Sequence, residues 1–127
     1  MFGCDIIRVK IKGFLKNITE KENLFFNEKG INNKNKISFI SDNIKYNIKY
    51  STSEVIMVRE GKDFINTFIF HKKNGTSTYT VKDNNYTIDM GIIVKELIIR
   101  ENFIDIKYII SDTGYEYEYR IEASESI

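Results

Sequence analysis

Tyr115-Glu116-Tyr117-Glu118-Tyr119-Arg120-Ile121 alternates a large apolar side chain with a charged one at every step. A period of two sends the tyrosines and Ile121 to one face of an extended chain and the charges to the other. The same alternation runs through Ile7, Val9 and Ile11 against Arg8, Lys10 and Lys12. It recurs in Ile44, Tyr46, Ile48 and Tyr50 against Lys45, Asn47 and Lys49, and in Ile104, Ile106, Tyr108 and Ile110 against Asp105 and Lys107. Strands with one buried and one wet face are the mark of antiparallel sheets.

Turn-forming residues break the chain into about ten such segments, near 5–15, 21–31, 36–41, 44–51, 54–60, 64–72, 76–82, 85–100, 103–111 and 114–123. Asn74-Gly75 reads as a type I′ hairpin turn, because both central residues of that turn need positive φ. Gly61, Asn84-Asn85, Asn102, Thr113-Gly114 and the polar run Asn32 to Lys36 mark further turns. The long segment 85–100 is expected to bend or bulge at Gly91, since its apolar phase moves from Ile88, Met90 and Ile92 to Leu97 and Ile99. Ile92 to Arg100 carries some helical spacing, but its β-branched residues and missing N-cap argue against a helix.

No linker or repeat divides residues 1–127, so one all-β domain is expected, a sandwich or a barrel. Charge favours the barrel. The first strand is cationic on its outer face (Arg8, Lys10, Lys12) and the last is largely anionic (Glu116, Glu118). Pairing these two strands sets opposite charges across a seam, each good pair contributing roughly 0.2–1 kcal/mol. It also removes both sheet edges. The expected fold is an antiparallel meander β-barrel of about eight to ten strands.

Composition excludes several function classes. Ile, Lys and Asn dominate, Pro and Trp are absent, and Lys outnumbers Arg as in an A/T-rich coding sequence. The net charge of +1 provides no field to condense nucleic acid or to steer the chain to anionic lipid. Residues 1–63 carry 12 basic and 8 acidic side chains, and residues 64–127 carry 7 and 10, a mild asymmetry. Cys4 alone cannot form an internal disulfide. Met1 to Arg8 does not read as a signal peptide, and no run approaches the roughly 18 apolar residues of a membrane helix. A cytoplasmic protein is expected, with no nucleic-acid or membrane partner.

Val58-Arg59-Glu60-Gly61, Phe70, Tyr79, Tyr86-Thr87-Ile88 and Ile104-Asp105-Ile106-Lys107-Tyr108 resemble the YwiB-like family of small bacterial proteins. Val9-Lys10-Ile11-Lys12-Gly13 and the segment Leu24-Phe25-Phe26 to Gly30 fit the amino-terminal half of the same pattern. The resemblance implies a lipocalin-like (calycin-type) β-barrel. It brings no catalytic residue with it.

Residues that could carry chemistry are few. His71 is the only histidine, and with Cys4 it falls short of a structural zinc set, so no metal or cofactor is expected. His71, beside Lys72 and Lys73, reads as a solvated strand-end residue, and Cys4 as a small thiol without a role. The acids lie on outward phases and show no catalytic pair. Arg8, Lys10 and Lys12 read as a solvated strand face rather than a nucleic-acid groove. Arg59 is the sharpest candidate: it is in phase with Val55 and Met57, so its fork could meet an anion inside the barrel. The alternative is a strand-end arginine in a surface pair.

Inward positions are rich in rings: Tyr46, Tyr50, Phe68, Phe70, Tyr79, Tyr86, Tyr108, Tyr115, Tyr117 and Tyr119. These could plug the lumen completely. Buried tyrosine hydroxyls need partners, however, at roughly 1–3 kcal/mol each if unmet, so a polar mouth is equally consistent. The leading expectation is a non-enzymatic barrel that binds a small ligand or a protein partner through Arg59, Tyr50, Tyr79, Tyr108 and Tyr117. The alternatives are an interaction protein, such as a homodimer with a filled barrel, and an enzyme using paired carboxylates.

Overall fold

The computed structural model describes residues 6–125, and Cys4 lies outside them. Ten strands follow in order: β1 (Ile6–Asn17), β2 (Glu22–Asn33), β3 (Lys36–Ser41), β4 (Ile44–Tyr50), β5 (Val55–Glu60), β6 (Phe64–Phe70), β7 (Asn74–Val81), β8 (Tyr86–Arg100), β9 (Phe103–Ile110) and β10 (Glu116–Glu125). Each pairs antiparallel with its neighbour in sequence, and β10 pairs with β1 to close the barrel. All ten expected segments are strands, Ile92 to Arg100 included.

Connections alternate between the barrel's two ends. Turns β1–β2, β3–β4, β5–β6, β7–β8 and β9–β10 lie at the first end, and the other four at the second, beside Ile6 and Glu125.

The expected seam forms, with Val9 opposite Glu125 and Asn17 opposite Tyr117. Its charges meet in a different register. Glu118 stands opposite Lys16, and Lys12 opposite Glu122, while Lys10 faces Ser124 and gains no acid across the ladder. Closure also leaves one edge incompletely covered, since β3 pairs with β2 only over Gly30–Asn32.

Two turn assignments are corrected. Asn74-Gly75 belongs to β7, and the β6–β7 chain reverses at Lys72-Lys73, closed by the His71 N–H donating to the Asn74 carbonyl at 2.8 Å. Gly75 serves a close approach instead, because a Cβ there would fall on the Ile69 carbonyl oxygen. The bulge in β8 lies between Val94 and Glu96, not at Gly91, and moves the buried phase from Ile92 and Val94 to Leu97 and Ile99. Asp42 and Asn43, with φ of 54° and 63°, form the tight β3–β4 turn.

Ten strands enclose more space than the eight whose interior side chains just fill. Aromatic volume takes up the difference. Phe26, Phe39, Tyr46, Phe70, Tyr108 and Tyr119 are all buried, with Phe39 stacked on Tyr46 at 4.8 Å and Phe26 edge-on to both. Branched residues such as Ile11, Ile37, Ile104 and Ile121 fill between them, each contributing roughly 1.5–3 kcal/mol. Tyr86 occupies an inward phase but lies 59% exposed where the β7–β8 hairpin overhangs the first end.

Candidate functional site

Arg59 precedes the last residue of β5, so its inward side chain approaches the barrel's first end. Its neighbours in the ladder are Tyr46 on β4 and Asn66 on β6, both buried. The guanidinium carbon stands 5.5 Å from the Tyr46 ring centre and 5.9 Å from that of Phe64. Cation–π contact supplies part of the solvation the cation has lost. Among the described residues it has no ion-pair partner, and its buried Nε has no hydrogen-bond acceptor. The Tyr119 hydroxyl is also buried without a partner among them. Desolvation pushes the Tyr108 and Tyr119 hydroxyls far above their ordinary range, and the nearby positive charge of Arg59 pulls both back slightly. Both phenols therefore remain neutral donors.

Four of the five expected contact residues gather towards this end. Tyr79 stacks on Phe64 at 5.5 Å, and Tyr108 stacks on Tyr117 at 5.3 Å. Tyr117 also lines a cleft of about 310 Å³ with Leu15, Asn17, Glu22, Asn23 and Leu24. Tyr50 does not join them. It ends β4 at the opposite end, where its hydroxyl accepts from the Asn102 N–H at 3.3 Å beside a cleft of about 290 Å³.

Sequence reasoning missed Asn66, a buried amide inside the wall opposite Arg59. It donates to Ser77 Oγ at 3.2 Å and to the Thr78 carbonyl at 3.1 Å. The available signal was a polar residue on the inward phase between Phe64 and Phe68.

A second charged cluster sits outside the barrel. Asp105 points outward yet is only 4% exposed, because Arg120 from β10 lies over it. Arg120 donates from Nη2 at 2.8 Å and Nε at 3.1 Å to the same Oδ2, leaving Oδ1 buried without a hydrogen-bond partner among the described residues. Glu118 joins through Arg120 at 3.4 Å. Desolvation, and then the neighbouring Asp105 carboxylate, raise the Glu118 pKa. The expectation of scattered acids fails here: the β9–β10 register brings two together on the outer face of the barrel. His71 is solvated, as expected, and meets Glu54 at 2.6 Å. Among the described residues no cluster of His, Cys, Asp and Glu is arranged to hold a metal ion.

No protein-family model matches the chain, and no curated protein matches its sequence. Among solved structures, the ywiB protein from Bacillus subtilis superposes with a TM-score of 0.69 at 18% identity, covering 97% of this chain and 93% of that one. At that identity the likeness establishes a shared fold: a closed, antiparallel, all-β barrel.

Proposed function

We propose that this chain is a non-enzymatic binding module, a lipocalin-like barrel of the YwiB-like type that receives the anionic group of a small ligand at its first end. One observation carries the reading: the Arg59 guanidinium, held among Tyr46, Phe64, Tyr108 and Tyr119, has no acid to balance it among the described residues. A partly buried charge without a partner is costly, and a ligand carboxylate or phosphate supplies the missing acceptor. The rings around it match an apolar body attached to that anion. Because core rings fill the lumen, the ligand sits at the mouth rather than deep inside. The polarity, apolar within and charged without, is the inverse of a lipid-spanning barrel and supports a water-facing role.

Titration calorimetry with octanoate as probe tests this. Octanoate is expected to bind saturably, its methyl ester not to bind, and Arg59→Met to abolish the heat without unfolding the barrel. Equal binding to wild type and Arg59→Met would end the proposal. Native mass spectrometry of protein taken directly from cells should show an added mass on the wild type that Arg59→Met lacks.

A further inference from the structure

We propose that the free edge of β2 takes up an extended acidic segment of a partner protein as an added strand. β2 pairs with β1 along its whole length, from Ile6 opposite Asn33 to Asn17 opposite Glu22. On its other side it meets β3 only from Gly30 to Asn32. The cause is local: β3 ends at Ser41, and Asp42-Asn43 turn the chain back before it can run alongside the rest of β2. Among the described residues, Glu22–Lys29 therefore have no ladder partner on their outer edge, and β3 reaches this stretch only through the Ser41 hydroxyl, which donates to the Glu28 carboxylate at 2.9 Å. Backbone N–H and C=O groups set out at strand spacing are a template for another chain.

Next to the free edge, on the outer face where β2, β3 and β4 pair, lies a groove of about 330 Å³ lined by Lys29, Ile31, Ser38, Ile40, Lys45 and Asn47. Apolar side chains flank the edge, with Phe25 67% exposed and Ile40 59%. An incoming strand would thus find main-chain partners together with sites for alternate side chains.

Charge selects the occupant. Beside the free edge the outward positions of β2 and β1 carry Lys29, Lys10, Lys12 and Lys16 and no acid, whereas Glu22 and Glu28 of β2 lie on the inward phase. Lys10 lies directly opposite Lys29, at one end of the free edge. Like charges in such a pair are destabilising, and an acidic strand alongside relieves the repulsion. A second copy of this chain fits poorly. Its acidic strand β10 is already paired on both sides, and joining two β2 edges would bring two cationic faces together.

Fluorescence anisotropy with a labelled peptide alternating Glu and Val tests the proposal, its length set at about eight residues to match the free edge at strand spacing. Saturable binding that weakens with added salt is expected, and the corresponding Lys–Val peptide should not bind. Of two versions N-methylated on alternate residues, one from each edge, a single version should lose binding. Amide exchange at Glu22–Lys29 should slow in the complex. Lys29→Glu combined with Lys45→Glu should weaken binding by about tenfold or more while leaving the melting transition in place. Equal binding of both N-methylated versions, or equal competition by oligothymidylate, would show charge attraction without strand addition and overturn the proposal. A dimer seen by light scattering that the peptide fails to dissociate would overturn it in favour of a second copy.

Discussion

Arg59 lies directly across the β4–β5 ladder from Tyr46, its guanidinium carbon 5.5 Å from the ring centre. Two opposing effects act on this residue. Ring contact stabilises the cation by roughly 0.5–1 kcal/mol at a site of this exposure. The unmet Nε donor costs roughly 1–3 kcal/mol, which is the larger effect. Arg59→Met keeps the stem and removes the donor, so it should leave stability unchanged or raise it by about 1 kcal/mol in urea unfolding. A loss above about 2 kcal/mol would mean that the charge is satisfied within the barrel, and the ligand reading would go with it.

Arg120 screens Asp105 from water, and the carboxylate has no other cation at bonding distance among the described residues. Arg120→Met strands a buried negative charge. Because the Arg120 side chain is itself 42% exposed, the expected loss is about 2 kcal/mol, below the roughly 3–5 kcal/mol of a fully buried pair. The double variant Asp105→Leu with Arg120→Met should be more stable than Arg120→Met alone. If the two losses simply add, the cost does not come from the stranded acid.

The raised pKa of Glu118 sets a pH dependence of definite sign. The folded protein holds this proton more tightly than the unfolded chain does, whose ordinary value is near 4.5. The resulting stabilisation is complete below that value and is lost as pH rises through the higher folded one. Glu118→Gln should therefore flatten the fall in stability on the alkaline side of 4.5. Urea midpoints compared between wild type and variant across the acid range check this, and parallel curves would refute it.

Strand faces and barrel closure were legible because both rest on period two and on opposite charges at the two ends of the chain. Register was not. Which residue faces which depends on turn lengths, and a shift along the seam places Glu118 opposite Lys16 instead of Lys10 or Lys12. The Asp105–Glu118–Arg120 cluster was hidden for the same reason: its members are adjacent only once β9 and β10 are aligned. Arg59, Tyr79, Tyr108 and Tyr117 share a barrel end because their strand positions and phases agree, and both can be read along the chain. Tyr50 shared the phase but not the end. The free edge of β2 follows from the early Asp42-Asn43 turn and leaves no mark in hydrophobic patterning.

The two misread glycines yield the last prediction. Asn74-Gly75 has the composition of a hairpin turn, yet Gly75 pairs with Phe70 inside the β6–β7 ladder. A methyl group at Gly75 would meet the Ile69 carbonyl oxygen, a backbone atom held by the sheet, so the strand itself would have to shift. Gly91 has its nearest neighbour in the Ser111 hydroxyl at 3.3 Å, a side chain that can rotate away. Gly75→Ala should therefore destabilise the barrel by about 2 kcal/mol or more, in the range of overpacked sites. Gly91→Ala should be neutral or stabilise by up to about 1 kcal/mol, through the reduced freedom of the unfolded chain. Thermal melts of the two variants side by side decide the matter. A reversed order would place the special backbone at Gly91, as the apolar phase alone had implied.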